Sequence, residues 1–149
     1  VIVRPASPAD AVALGQVHAE AFEAPWTGEE ILRFARDPGG AALVAEAGDG
    51  QVAGFILCRL IAGEAEVLTL AIRTAARRRG VATRLVDAAI ELTRISADSM
   101  FLEVAEDNPG AIALYARTGF EPVGRRAGYY ARRGIPAVDA IVMRRTLNS

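Results

Sequence analysis

Glu103 stands inside Phe101-Leu102-Glu103-Val104-Ala105, an otherwise apolar run that reads as a buried strand. A carboxylate there is costly to bury unless partnered, and desolvation moves its pKa toward that of a useful general base. The alternative is a carboxylate that reaches solvent or a salt bridge at the sheet edge. A second chemistry is suggested by Arg77-Arg78-Arg79-Gly80-Val81-Ala82, which follows the apolar run Leu68–Ile72. Strand, basic turn and small-residue helix start suit a phosphate, because a helix N-terminus exposes unpaired N–H groups and about half a positive charge. Gly80 and Ala82 would let a pyrophosphate reach the amides from Arg78 through Thr83. Three solvated arginines and a turn glycine would leave the same pattern, and neither the Rossmann nor the P-loop spacing is present. Tyr115 shares a helical segment with Ala111, Leu114 and Thr118, a spacing typical of core packing, yet its phenol could donate a proton to a leaving group.

The segment from Phe101 to Phe120 narrows these options. It contains L-E-V-x-x-x-N-x-x-A-x-x-L-Y-x-x-x-G-F, downstream of the R-x-x-G-x-A helix start. Both strings, in this order, resemble the two central motifs of the GNAT N-acetyltransferases. Three more segments resemble the RimI type, the ribosomal-protein N-terminal alanine acetyltransferases: Ala24-Pro25-Trp26-Thr27, Glu64 to Ile72, and Gly128-Tyr129-Tyr130 with Asp139 to Met143. One position departs. Ala137-Val138 precedes Asp139 where that family carries Arg-Glu, which bears on the acceptor more than on the chemistry.

The resemblance implies acetyl-coenzyme A as cosubstrate and a protein N-terminus, that of a ribosomal protein, as acceptor. It implies Glu103 as general base, directly or through a water, and Tyr115 as general acid. The basic turn and helix start (Arg77, Arg78, Arg79, Gly80, Val81, Ala82, Thr83) would hold the pyrophosphate. Asn108, fully explained as a helix cap, would also hold the pantetheine arm. Backbone groups of Leu70, Ala71 and Ile72 would pair with pantetheine as an added strand and bind the thioester oxyanion. Trp26, Glu103, Tyr129 and Tyr130 would meet the acceptor, although Trp26 could equally be an anchor under a helix cap. An α-amine, with a reference pKa of about 7.7–8.0 against about 10.4 for lysine, is already partly neutral and needs only a modest base. Transfer to a small amine or a lysine side chain is the alternative reaction. An acetyl-coenzyme A-binding sensor without turnover is the alternative of another class, and would need neither Glu103 nor Tyr115. Cys58, on an apolar strand without a histidine nearby in sequence, reads as a small core residue rather than an acetyl carrier.

Positioning these residues takes a single domain over residues 1–149. The order of elements reads β-α-α-β-β-β-α-β-α-β-β, an α+β fold with a mixed sheet of about seven strands. Val1–Pro5 alternates like a short strand. Ser7-Pro8-Ala9-Asp10 starts a helix reaching Phe22, with Val12, Leu14, Val17 and Ala21 inward. Thr27 and Glu30 form a capping box for a second helix that Asp37-Pro38-Gly39-Gly40 ends. Ala42–Ala45, Gln51–Ile61 and Ala65–Ile72 form an antiparallel meander. The next helix runs from Val81 to Ile95, with Val81, Leu85, Ala88, Ala89 and Leu92 inward. After the Phe101–Ala105 strand, Asn108-Pro109 opens a helix closed at Gly119, and strands near Glu121–Tyr130 and Ala137–Arg144 finish the chain. Hydrophobic residues make up 52% and charged residues 23%, a balance that excludes a disordered chain. The net charge of -1 argues against nucleic-acid or anionic-membrane partners. Cys58 and His18, the single cysteine and histidine, are too few for a zinc site. With no apolar run long enough to span a bilayer and no signal-peptide form, the expectation is a soluble cytoplasmic protein without metal.

Overall fold

A computed structural model describes residues 1–148. Its strands are β1 (Ile2–Pro5), β2 (Gly40–Glu46), β3 (Val52–Ile61), β4 (Glu64–Ile72), β5 (Ser99–Ala105), β6 (Glu121–Tyr130) and β7 (Val138–Thr146). Its α-helices are α1 (Ala11–Ala21), α2 (Gly28–Arg36), α3 (Val81–Thr93) and α4 (Pro109–Arg117), with short 3-10 turns at Pro8–Asp10 and Thr74–Ala76. All eleven expected elements are present in the expected order.

Local chemistry explains most boundaries. Thr27 Oγ1 accepts from the Glu30 N–H at 3.1 Å while the Thr27 N–H donates to Glu30 Oε1 at 3.1 Å, the reciprocal box that starts α2. Asn108 Oδ1 accepts from the Ala111 N–H at 3.1 Å and Pro109 follows, which starts α4. Gly28 is required where α1 crosses α2, since a Cβ there would lie 1.6 Å from the Ala11 carbonyl oxygen. The same crossing brings Gly15 against the Gly28 backbone, which gives that helix-weakening glycine a packing reason.

The seven strands form one sheet in the order β1-β2-β3-β4-β5-β7-β6. Helices α1 and α2 cover one face over Leu14, Val17, Ile31, Val44, Phe55 and Leu57. The opposite core joins α3 and α4 to the sheet through Leu85, Val86, Met100, Leu102, Leu114 and Met143. Three expected core positions are corrected: Val12, Ala21 and Leu92 are exposed, and His18, Val86, Ile90 and Thr93 are buried. At about 100° per residue, Leu92 lies about 20° from Val81, on the flank of a stripe that Ala89 centres and that Val86 and Ile90 extend farther round the helix. No helix among the described residues is long and apolar enough to cross a membrane.

The decisive feature is where neighbouring strands part. Strands β4 and β5 run parallel but pair only at Glu64–Ser99, Ala65–Met100 and Glu66–Phe101. Beyond Glu66, β4 stays with β3 on one side, and beyond Phe101, β5 stays with β7. At the same point the β3–β4 register shifts, so Leu57 faces Thr69 and Cys58 faces Val67, leaving Leu68 as an extra residue. Such a bulge bends its strand and turns its side chains over. Ala65 and Val67 accordingly join the α3 core, whereas past the bulge Leu70 and Ile72 do so and Ala71 joins the α1–α2 core.

Candidate active site

The parting of β4 and β5 makes a fork. Its β4 wall, Val67 to Ile72, presents main-chain groups that no strand takes up on the β5 side. Unpaired edge groups of this kind are a template for another extended chain. Leu70, Ala71 and Ile72 line this wall, and their antiparallel partners on the far side are Ile56, Phe55 and Gly54.

Beyond the β4 end lies the basic turn. Arg78 is left-handed at φ 65° and Gly80 at φ 77°, immediately before α3. For Arg78 this backbone costs about 1–2 kcal/mol, a strain of the kind found at ligand clamps. The first N–H here to reach a carbonyl is that of Arg84, to Gly80 O at 3.1 Å. The N–H groups of Arg78, Arg79, Gly80, Val81, Ala82 and Thr83 have no backbone acceptor among the described residues. Six successive unpaired amides at the start of a thirteen-residue helix form an anion cradle. Space around a hypothetical Gly80 Cβ is open. Arg77 is turned back, its Nε donating to Ile72 O at 3.3 Å, while Arg78 and Arg79 make no ion pair among the described residues. The turn is tied to α1 through Glu20, which accepts from the Thr74 N–H at 2.9 Å and pairs with Arg73.

Glu103 rises from β5 on the sheet face opposite Leu102 and Val104, which join the α3–α4 core. Its side chain is 15% exposed and one oxygen, Oε1, lies 3.0 Å from Arg126 Nε. A cavity of about 320 Å³ opens beside it, bordered by Arg59, Glu66, Phe101 and Arg126. Tyr115 enters the fork from α4. It is 7% exposed, packs edge-on against Phe120 at 5.6 Å, and burial raises its pKa well above the ordinary phenol value. Its hydroxyl has no hydrogen-bond partner among the described residues. Among the described residues the one side-chain polar atom sealed from solvent without a partner is Arg94 Nε, so the phenol oxygen is not sealed off. Tyr130 completes the group: its hydroxyl donates to the Glu103 carbonyl at 3.3 Å, and it is close enough to Tyr115 to affect that phenol's ionisation. Burial, then the Glu103 charge, raises the Tyr130 pKa. Tyr129 is half-exposed beside Tyr130.

The hairpin carrying these tyrosines is pinned to the turn before α4. Arg132 makes a bidentate pair with Asp107 at 2.8 Å, and Arg125 bridges Glu106 and Asp139. Asp139 also accepts from the Gly128 N–H at 2.8 Å, holding that glycine at φ 59°. Asn108, directly after Asp107, serves as the α4 cap. Glu23, in the α1–α2 connection, adds to the field at Arg132, so that connection also faces the hairpin.

Trp26, in the same connection, is held as an anchor: its ring stacks on His18 at 5.1 Å and meets Phe34 at 5.3 Å. The Trp26 N–H donates to His18 Nδ1 at 2.9 Å, which leaves the ring proton on Nε2 to donate to Thr69 Oγ1 at 3.1 Å. Burial drives the His18 pKa down to about 4, so the ring is neutral. His18 therefore links the Trp26 loop to β4 just past its bulge. Sequence reasoning weighed His18 only as a metal ligand and did not find this bridge, nor Arg126 beside Glu103. An inward His at the helical spacing of Leu14 was the available signal for the first. Cys58 is buried and its thiol is pushed up to about 12, as a core residue requires.

Comparison with known proteins gives a consistent picture. The model of the acetyltransferase (GNAT) family matches residues 11–120. The chain is 33% identical to the N-alpha-acetyltransferase RimI of Mycobacterium tuberculosis over 92% of its own length and 87% of the relative's. It is 31% identical to the ribosomal protein bS18-alanine N-acetyltransferase of Escherichia coli, over 64% of each. Among solved structures, the ribosomal-protein-S18-alanine N-acetyltransferase from Escherichia coli superposes with a TM-score of 0.90 at 22% identity, covering 99% of this chain and 94% of that one.

Proposed function

The chain belongs to the GNAT acetyltransferase family and is an acetyl-coenzyme A-dependent N-acetyltransferase, and we propose that its acceptor is a protein N-terminal α-amine, that of the alanine of ribosomal protein bS18. The observation that supports the mechanism is Tyr130, which stands between the two candidates: its hydroxyl donates to the Glu103 main-chain carbonyl and it lies near the Tyr115 phenol, where β4 and β5 part.

The residues present fit the coenzyme. Six unpaired amides from Arg78 to Thr83, with open space at Gly80, suit a pyrophosphate, and the β4 wall at Leu70, Ala71 and Ile72 suits an amide-bearing arm. Asn108 lies at the start of α4, next to Pro109 and Tyr115's helix, as a further contact for that arm. When bound, the coenzyme supplies an activated acetyl thioester. Glu103 would take one proton from the acceptor's ammonium, freeing the lone pair with which the neutral amine attacks the acetyl carbon; the second proton leaves the nitrogen once that bond has formed and returns to the phenolate that protonating the sulfur leaves behind. Tyr115, kept protonated by burial, donates toward the sulfur as the carbon–sulfur bond breaks. A main-chain N–H of the Leu70–Ile72 segment offers a hydrogen bond to the carbonyl oxygen. Tyr129 and Tyr130, on a hairpin pinned by Arg125 and Arg132, border the acceptor's path to Glu103. Trp26, whose loop is tied to β4 through His18, joins them as a contact for the acceptor.

Mass spectrometry of the protein incubated with acetyl-coenzyme A, the bS18 N-terminal peptide, other N-terminal peptides and free amines tests the acceptor. Acetylation of the bS18 α-amine ahead of the rest is expected. Products confined to small amines or lysine side chains would overturn it.

A further inference from the structure

Glu103 does not stand free. Its Oε1 is 3.0 Å from Arg126 Nε, and the partners differ in freedom: the Glu103 side chain is 15% exposed, that of Arg126 58%. Arg126 sits opposite Ala140 on β7, which in turn sits opposite Ala105 on β5, so Arg126 and Glu103 lie on one sheet face with a small side chain between their strands. Gly124, the β6 residue opposite Val142, leaves the neighbouring position equally low. The guanidinium has a second hold at the same time, since its carbon lies 5.1 Å from the Tyr129 ring centroid while Nε is on Glu103. The β6 register breaks between Arg126 and Tyr130, and Gly128 in that interval is left-handed, which brings Tyr129 round to the guanidinium. The other charged groups bordering this cavity are Arg59, Glu64 and Glu66, with Arg59 and Glu66 engaged to each other at 2.7 Å. Arg126 is thus the cation nearest the Glu103 carboxylate, with Arg144 of β7 directed to Glu64 and Ser99 instead.

We propose that Arg126 is a displaceable counter-ion on Glu103, a positioning residue that the acceptor's ammonium must move aside before transfer, the guanidinium keeping its hold on Tyr129 as it gives up the carboxylate. The inference rests on Glu103 being the base that meets the amine. The guanidinium holds the carboxylate turned into the acceptor path while no acceptor is bound. An arriving ammonium makes the same charge-assisted contact and takes its place. An acceptor without a positive charge at the incoming nitrogen has nothing to exchange for the guanidinium, so the latch selects for a charged amine.

Steady-state kinetics with the bS18 N-terminal peptide should show Arg126→Gln lowering the peptide KM by about 1.4–5-fold, the equivalent of an exposed ion pair no longer broken on binding. Arg126→Lys, which keeps a cation, should return KM toward the wild-type value. In the intact protein with desulfo-coenzyme A, the Arg126 Nε–H resonance should shift when peptide is added. An Arg126 resonance unmoved at saturating peptide, or a KM for Arg126→Gln equal to or above wild type, would overturn the latch. Glu103→Gln separates the two layers: full turnover in that variant overturns the base assignment itself. An inactive Glu103→Gln with an unmoved Arg126 resonance overturns the latch alone.

Discussion

Tyr115→Phe removes one oxygen from the cluster between α4 and the sheet and leaves the ring. That ring packs against Phe120 and is almost wholly buried, so its contribution to folding survives the change. The oxygen has no hydrogen-bond partner among the described residues, and its loss should change stability by under about 1 kcal/mol, or less than about 4 °C in Tm for a chain of this size. If the phenol is the proton donor to sulfur, its loss should lower kcat by about 10²–10⁴-fold, which corresponds to about 2.7–5.4 kcal/mol at the transition state. Tyr115→Ala gives the contrasting case. Truncating a buried aromatic costs about 3–5 kcal/mol, which at about 2–4 °C per kcal/mol lowers Tm by about 6–20 °C. The assay pairs thiol release from acetyl-coenzyme A with thermal melts and coenzyme binding on each variant. A Tyr115→Phe enzyme with wild-type kcat, alongside a Tyr115→Ala protein that melts early, would show the side chain to be core packing and refute the acid role.

Gly80→Val should weaken coenzyme binding by about tenfold or more by calorimetry, because φ 77° is strained for a β-branched residue and the side chain would project into the amide cradle; an unchanged Kd would remove the cradle from the coenzyme site. Cys58→Ala should keep kcat within about threefold, since a buried thiol pushed up to about 12 is no nucleophile, whereas an acetyl group on Cys58 in acid-quenched enzyme would reverse that reading. His18, held near 4 in the fold against about 6.5 unfolded, binds protons more readily in the unfolded chain. Its share of stability is therefore full above about pH 6.5 and falls as pH drops toward 4, by a few kcal/mol; His18→Gln should flatten that slope in denaturant melts, and an identical slope would contradict the neutral bridge.

What the sequence discloses of this molecule is what is decided locally. The reciprocal Thr27–Glu30 box, the Asn108-Pro109 start and the Gly80 turn depend on residues within a few positions of one another, so elements and cradle were legible. Helix rotation was not. Val12 and Leu92 fit an apolar stripe, but the sheet against which α1 and α3 settle selects Leu14, His18, Val86 and Ile90 instead. Strand order, with β7 between β5 and β6, and the three-pair contact of β4 with β5 depend on pairings that no short window contains. For the same reason Glu103 and Tyr115 could be picked out as chemical residues while their neighbours could not. Arg126 arrives from another strand, and His18 reaches Thr69 across 51 positions.

The bulge at Leu68 connects these two kinds of information. Leu68-Thr69-Leu70-Ala71-Ile72 alone reads as an uninterrupted strand, and an uninterrupted β4 would keep one set of side chains in the α3 core. With the extra residue, Leu70 and Ile72 take over the positions on that face, and Thr69 turns to the side where its hydroxyl oxygen accepts from His18. The bulge therefore serves the two halves of the site together. It accompanies the departure of β4 from β5 that bares the β4 main chain, and it presents Thr69 to the histidine that carries the Trp26 loop. A change that abolished the register shift without unfolding the sheet would move both at once, which is why the bared β4 edge and the Trp26 loop form one structural unit although they come from distant parts of the chain.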